Sequence, residues 1–413
     1  MKSLVVAQDF PWPPSIGSHL RLAEVVGALG ALGDTDLFAL VPARRREPCV
    51  APDDVRVARV ATVKRPRPVV SPARRLAWLA SPGMPLEVVQ ERDGRLRGAL
   101  LDWAAARYDF VWFSKAATFE LVGRPELGPT VVDLDDLEDR KIASRLAAEE
   151  DEGEHRESRW AGRARALRRA VAGAQARLNA RRWSALQRSV AEAVDRVVLC
   201  SALDAGRSGL ANVVVVPNGY DKPPSPAGRI TVGSPPVVLL AGSFCYPPNA
   251  DAARWLVSRI APHLVALRPD ATIRLVGEPD GSVAGLQDPP AVTVVGLVPA
   301  MGPELARADL VAVPLRSGSG TRVKMLEAFA HRIPVVSTTV GAEGLGAEDG
   351  RHLLVADDPV GFAAACARLL DDVELRRRLV DSAEELFVER FQWSAAREAI
   401  RAVALETAAR TAS

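Results

Sequence analysis

The stretch Ala308–Leu345, ADLVAVPLRSGSGTRVKMLEAFAHRIPVVSTTVGAEGL, constrains this chain most. Asp309–Pro314 is a short apolar run closed by a proline, which reads as a buried strand. Arg316–Thr321 is a Gly/Ser loop. Arg322–Arg332 has helical spacing, with Met325, Ala328 and Phe329 able to face inward. Ile333–Thr338 is a second buried strand, followed by Gly341, Gly344 and Gly346. Strand, glycine loop, helix and strand make one βαβ unit, and such units build parallel sheets.

The loop is where chemistry is expected. Gly318 and Gly320 let backbone approach a ligand closely. Free N–H groups and the dipole favour an anion at the start of the following helix. Arg322 and Lys324 place two positive charges in that first turn, the wrong end for cations unless an anion sits nearby. Glu327 lies one turn further on, where a carboxylate can accept two hydrogen bonds from a vicinal diol such as a ribose. Phosphate clamp plus diol acceptor describes a nucleotide site. A surface helix with a Lys324–Glu327 pair at i,i+3 satisfies the same spacing.

The rest of the chain is consistent with two domains. At 413 residues, 48% hydrophobic and 25% charged, it can bury two cores. A net charge of +2 gives no reason to expect a nucleic-acid partner. The arginine excess over lysine, with abundant Ala and Val, suits GC-rich bacterial coding. Cys49, Cys200, Cys245 and Cys366 are scattered, with no CxxC spacing, so neither a zinc site nor a disulfide framework is expected and a reducing cytoplasm is. There is no apolar run of about 18 residues for a transmembrane helix, and MKSLVVAQDFPWPP does not read as a signal peptide.

Ser3–Gln8 reads as a strand, and Gly17–Leu32 as the helix after a proline-rich loop. Thr35–Val41, Val55–Val60, Asp109–Phe113, Thr130–Leu134, Asp195–Cys200 and Asn212–Pro217 are further strands. Arg44–Arg46 and Lys64–Pro68 are basic loops, and Arg92–Arg107 an amphipathic helix. The acids Asp133, Asp135, Asp136, Glu138 and Asp139 crowd the end of the Thr130–Leu134 strand, where Asp135 or Asp136 can cap a helix. Ile142–Ala193 reads as one or two long helices whose clustered arginines present either a solvated face or an anionic-membrane contact. A Pro/Gly/Ser-rich linker covers 222–236. Six βα repeats then follow, with strands near Val237–Ala241, Thr272–Val276, Val292–Val295, Leu310–Val313, Pro334–Ser337 and Leu353–Val355, continuously apolar as in sheets buried on both faces.

The motif running from the Gly loop through Arg322, Lys324, Glu327 and PVVST to GAEGL closely resembles the nucleotide-sugar site of the retaining glycosyltransferases of family four, which have the GT-B architecture. Ala241–Asn249, AGSFCYPPN, resembles the loop opening their C-terminal domain, and Val216–Asp221, VPNGYD, their inter-domain crossing. Two positions depart from the family pattern. Ser319 stands where many members carry the first of two paired glutamates, of which Glu327 fits the second; a Gly/Ser-loop branch shares that departure. Arg332 stands where glycine is usual.

The resemblance implies two doubly wound Rossmann-like parallel-sheet domains facing a cleft. These would be 1–221 for the acceptor, a linker at 222–236, 237–390 for the donor, and a helix at 391–413 crossing back to the first domain. It implies transfer of a sugar from a nucleoside-diphosphate sugar to a hydroxyl of a natural product, glycan or lipid-linked intermediate, with retention, no metal and no other cofactor. The nucleotide-sugar donor and hydroxyl acceptor would be the partners, with a peripheral membrane contact not favoured. Arg322, Lys324 and Asp133 would act in catalysis. Glu327, Ser317, Gly318, Ser319, Gly320, Thr321, Gly242, Gly277 and Val298 would hold the donor. Gly17, Ser18, His19 and Arg21 would line the acceptor side. Two alternatives share the architecture: a nucleotide-sugar epimerase, and a non-catalytic nucleotide-sugar-binding partner protein.

Overall fold

The computed structural model describes residues 1–14, 16–45, 48–67, 71–154, 162–229, 231–320 and 322–410; between 149 and 168 only the backbone is described. The chain divides into two compact units: Met1–Leu146, Gly153–Pro217 and Ser394–Ser413 form one, Ala147–Glu152 and Asn218–Trp393 the other. Each unit has its own all-parallel sheet.

The first unit carries seven strands: β1 (Lys2–Ala7), β2 (Asp34–Pro42), β3 (Arg59–Arg65), β4 (Phe110–Ser114), β5 (Thr130–Asp135), β6 (Arg196–Leu199) and β7 (Val213–Val215). Their order is β3-β2-β1-β4-β5-β6-β7. Apolar residues fill both faces. Leu4, Val6, Phe38, Leu40, Val111 and Phe113 enter one cluster, and Val5, Ala7, Leu37, Ala39, Phe110 and Trp112 the other. Covering helices on both sides explain why these runs are continuous rather than alternating. Each large side chain so buried contributes about 1.5–3 kcal/mol.

The sheet-edge strand differs from the sequence expectation. Val55 and Val57 pack against the core from outside the sheet, and β3 begins at Arg59. Its register pairs Arg59 with Asp36, which is buried. Asp36 accepts bonds from the Arg59 guanidinium at 2.5 Å and from the Tyr108 hydroxyl at 2.7 Å. A buried carboxylate needs those partners, and Val55 cannot supply one. Lys64 and Arg65 therefore lie in β3 rather than in a basic loop, with Arg65 bound to Glu91 at 2.7 Å. Arg46 and Pro68 lie outside the described residues.

The helices Glu138–Glu154 and Gly162–Ala193 occupy the long Ala/Arg/Glu segment, and Trp393–Arg410 closes the chain. Arg156, Arg159 and the side chains of Arg163, Arg165 and Arg168 are outside the described set. Among the described residues no helix is long and apolar enough to cross a membrane. Ile400, Val403 and Ala404 of the last helix join the core cluster that holds Leu22 and Val25, and Arg397 bonds Glu24 at 3.0 Å.

The second unit carries β8 (Val237–Ala241), β9 (Thr272–Val276), β10 (Val292–Gly296), β11 (Leu310–Val313), β12 (Val335–Ser337) and β13 (Leu354–Val355), in the order β10-β9-β8-β11-β12-β13. The stretch 222–236 is not a free tether. Ala227 N–H donates to His331 Nδ1 at 3.2 Å, and Gly228 N–H to the His331 carbonyl at 2.8 Å. Gly233 N–H and the Arg229 guanidinium both reach Asp309, which is fully buried. Arg376, also buried, donates to the carbonyls of Arg229, Asp309 and Leu369. Composition marked this segment as a linker; satisfaction of Asp309 and Arg376 makes it part of the second unit.

Candidate functional site

In an open parallel sheet, ligands bind at the carboxyl ends of the strands where the strand order reverses. The second sheet reverses between β8 and β11. Gly242 follows β8 there, and the Arg316–Gly320 loop follows β11. Gly242 and Gly277, with φ of 146° and 138°, hold a conformation suited to glycine. A Cβ on Gly277 would lie 2.0 Å from the Gly242 carbonyl oxygen. One on Gly242 would lie 2.8 Å from Asn249 Nδ2 and 3.1 Å from Lys324 Nζ. The backbone here must stay bare for Lys324 to reach the crevice.

The helix that bears the charges is Val323–Ala330. Met325, Leu326, Ala328 and Phe329 bury its inner face, which turns Lys324 and Glu327 outward. No acid lies in its first turn and no side chain caps it. Lys324 Nζ donates to Asn249 Oδ1 at 2.7 Å, and Asn249 Nδ2 donates to the Ser243 carbonyl at 2.9 Å. Burial first, and repulsion from Arg322 second, pull the Lys324 ammonium down to about 7 against the attraction of Glu327. The Arg322 guanidinium donates to the carbonyls of Ser319 and, at 3.2 Å, Val340, and lies against Gly318, whose φ is 132°. Crowded cations and the dipole's positive end both favour a negative charge at this corner.

Glu327 has a partner the sequence reading missed. The Tyr220 hydroxyl donates to its Oε1 at 3.1 Å. Burial raises the Glu327 carboxyl above its ordinary value, while Tyr220 and Lys324 pull it back. Tyr220 is held in turn: its N–H donates to the Phe391 carbonyl at 2.9 Å, and its ring meets His331 edge-on. Burial and the neighbouring carboxylate push its hydroxyl well above the usual tyrosine range, so it stays a donor. Asn249 and Tyr220 both sat inside quoted motifs, AGSFCYPPN and VPNGYD, without a role, because their partners lie 75 and 107 residues away.

Ser317 is buried, and the Ser319 hydroxyl is buried with no hydrogen-bond partner among the described residues. The Lys324–Asn249–Gly242, Arg322–Gly318–Ser319 and Tyr220–Glu327 contacts thus share one end of the sheet. Val298 is partly buried and packs against the core of its unit. Thr321 lies outside the described residues. Arg332 takes the left-handed conformation, φ 58°, that suits the glycine expected there, and its guanidinium is held by Asp381 and Glu384.

In the first unit the sequence candidates take a different arrangement. Arg21 and Asp133 are 4% and 5% exposed and form a two-pronged ion pair, Nε–Oδ2 2.8 Å and Nη2–Oδ1 3.0 Å, with Arg21 also donating to the Val216 carbonyl. Burial pushes the Asp133 carboxyl up, and the Arg21 guanidinium pulls it back. Asp133, expected in catalysis, and Arg21, expected on the acceptor side, thus pair with each other in the interior of the first unit. His19 is also buried, with Nε2 3.4 Å from Asp9 Oδ2. Gly17 and Ser18 are exposed at the start of the helix Gly17–Gly30. Asp135 and Asp136 bind Lys115 at 3.1 and 3.2 Å, and Asp136 binds Lys141 at 2.7 Å.

Two Rossmann-like all-parallel sheets on one chain constitute the GT-B architecture, and solved structures share it. Sucrose-phosphate synthase from Thermosynechococcus elongatus aligns over all of both chains with a TM-score of 0.67 at 16% identity. HepE of Anabaena, in complex with UDP and glucose, aligns over 98% of this chain and 99% of its own with a TM-score of 0.59 at 15% identity. Residues 235–372 match the family model "Glycosyl transferases group 1", so the second unit carries a domain of that kind. The phosphatidyl-myo-inositol mannosyltransferase of Mycolicibacterium smegmatis is 29% identical over 199 residues, 45% of this chain and 49% of that protein. The curated relatives are matched over about a third to a half of their own length.

Proposed function

We propose that this chain is a retaining glycosyltransferase of family four, moving a sugar from a nucleoside-diphosphate sugar to an acceptor hydroxyl without a metal. The observation that carries the proposal is the pair Arg322 and Lys324 at the helix start beside Gly242, with Lys324 pulled to about 7 by burial and by repulsion from Arg322. A diphosphate supplies the matching anion. Glu327, held by Tyr220, accepts the ribose diol. In the reaction the bond from the anomeric carbon to the phosphate oxygen breaks, and Arg322 and Lys324 stabilise the charge arriving on the diphosphate. The acceptor oxygen attacks from the leaving-group face and its proton passes to the departing phosphate oxygen. The products are the glycoside and the nucleoside diphosphate, and no enzymic nucleophile is used.

The nucleotide in the HepE structure makes UDP the first to try. The Asp133-Leu134-Asp135 sequence is occupied by Arg21 and Lys115, which supports metal independence. Titration calorimetry and thermal shift with nucleoside diphosphates test the reading, since a ligand of the native state raises its stability. Expected are saturable binding, slow hydrolysis of the matching nucleotide sugar, and turnover that survives excess chelator. Binding of none of the common nucleoside diphosphates would overturn it; reversible conversion of the donor sugar would favour the epimerase.

A further inference from the structure

The first sheet also has a point where its order reverses, between β1 and β4. Crevices at that point are ligand sites in doubly wound sheets. A cavity of about 210 Å³ lies there, bounded by Gln8 just beyond β1, Lys115 just beyond β4, and Leu134 and Asp136 at the end of β5, with Glu87 and Trp183 on its helical walls. It is smaller than the ~300–1,000 Å³ of drug-sized sites, so it has room for about one ring and not for an acyl chain.

Two residues at the wall carry unusual backbone conformations. Lys115 has φ 73° and ψ 145°, and Asp135 has φ 62°, backbone conformations that non-glycine residues avoid. They are held by Lys115 Nζ, which donates to the Leu134 carbonyl, Asp135 and Asp136 at 3.1, 3.1 and 3.2 Å. Two hydrogen-bonding groups remain for a ligand. Glu87 accepts only from neutral donors, Asn179 Nδ2 at 3.0 Å and Trp183 Nε1 at 3.1 Å, and makes no ion pair among the described residues. Gln8 makes no side-chain hydrogen bond among them. The other lining carboxylates are matched: Glu91 with Arg65, and Asp136 and Glu138 with Lys141. Glu87 therefore leaves the pocket negative, with a preformed carboxylate and amide facing an apolar floor.

We infer that this pocket seats the reacting unit of the acceptor, a single uncharged polyhydroxylated ring bound through Glu87 and Gln8, and that it rejects anionic rings. Ring hydroxyls donate to Glu87 and bond both ends of the Gln8 amide. A carboxylate or phosphate on the ring meets the Glu87 carboxylate and pays like-charge repulsion. The word acceptor rests on the transferase reading; the preference of the pocket does not.

The test uses the full chain and four probes: glucose, myo-inositol, glucuronate and glucose 6-phosphate. Saturation-transfer NMR should give binding of at least one neutral ring, at least tenfold weaker binding of both anionic ones, and at least a tenfold loss in Glu87→Ala and in Gln8→Leu. Nucleoside-diphosphate affinity, measured on the same variants, should not change, which controls for folding. Absence of neutral-ring binding, equal binding of anionic rings, or unchanged binding in both variants overturns the inference. Neutral-ring binding by a protein that binds no nucleoside diphosphate would instead sink the transferase reading and leave the pocket standing.

Discussion

Tyr220→Phe removes one hydroxyl and leaves the ring in place against His331, so it isolates the 3.1 Å bond to Glu327. A hydrogen bond to a charged group is worth about 1.5–3 kcal/mol, or roughly 10- to 150-fold in affinity. That figure bounds the loss in nucleoside-diphosphate binding. The change also acts through protonation. Burial raises the Glu327 carboxyl, and Tyr220 and Lys324 are what pull it down. Diol binding needs the carboxylate, so affinity climbs as pH rises through the Glu327 pKa. Deleting the Tyr220 hydroxyl moves that climb to higher pH. Comparing wild type and Tyr220→Phe with the same nucleotide removes the ligand's own titration from the difference. The other groups on this carboxylate are Lys324 and, on the tyrosine, Asp221; both remain. The assay is titration calorimetry from pH 5 to 8 on wild type, Tyr220→Phe, Glu327→Ala and the double variant. Tyr220→Phe should cost little once Glu327 is gone, giving a coupling of about 1 kcal/mol or more. An equal cost in both backgrounds, or an unmoved pH profile, would refute the positioning role.

Lys324, with its pKa near 7 in the free protein, should take up a proton when a diphosphate binds at pH 8; calorimetry in two buffers of different ionisation heat would show it, and identical heats would count against it. Because that value lies below the ordinary 10.5, the unfolded chain holds the extra proton between them, so stability rises with pH across that window and Lys324→Met should raise the melting temperature more at pH 6 than at pH 10. Asp133→Ala removes the two-pronged partner of the buried Arg21, leaving Asp135 at 3.8 Å, and should cost about 3–5 kcal/mol in chemical denaturation; a loss under 1 kcal/mol would show that the pair is not structural. Arg332→Gly relieves a left-handed residue worth about 1–2 kcal/mol and gives up half-exposed ion pairs worth about 0.2–1 kcal/mol each, so stability should change by less than about 1 kcal/mol in either direction.

The sheets were legible because their residues answer to local physics. Val237–Ala241, Thr272–Val276 and Leu310–Val313 are runs that only a doubly covered strand can bury, and they occur with the expected bounds. What was not legible shares one cause. The strand expected over Val55–Val60 starts only at Arg59, which stands in register beside Asp36, a buried carboxylate 23 residues before it. The Pro/Gly/Ser composition of 222–236 reads as a linker, and its backbone contacts with Asp309 and Arg376, 76 and 147 residues away, are not written in that composition. Residue spacing reports periodicity; it does not report which distant charge must be satisfied.

The same limit separates the two candidate sites. Arg322, Lys324 and Glu327 sit within six residues at one helix start, so their grouping is written into the chain, and only their partners Asn249 and Tyr220 were hidden. The acidic run Asp133–Asp139 was equally conspicuous, yet its meaning depended on cations elsewhere: Arg21 claims Asp133, Lys115 claims Asp135, and Lys141 shares Asp136 with Lys115. Once those are subtracted, the unmatched carboxylate of the pocket is Glu87, which stands outside the run. Conspicuous charge in a sequence therefore marks a site only when the fold fails to neutralise it. By that criterion the crevice of the second sheet would select anions and that of the first sheet neutral polyols, the pair of preferences a transferase with a diphosphate donor and a hydroxyl acceptor requires.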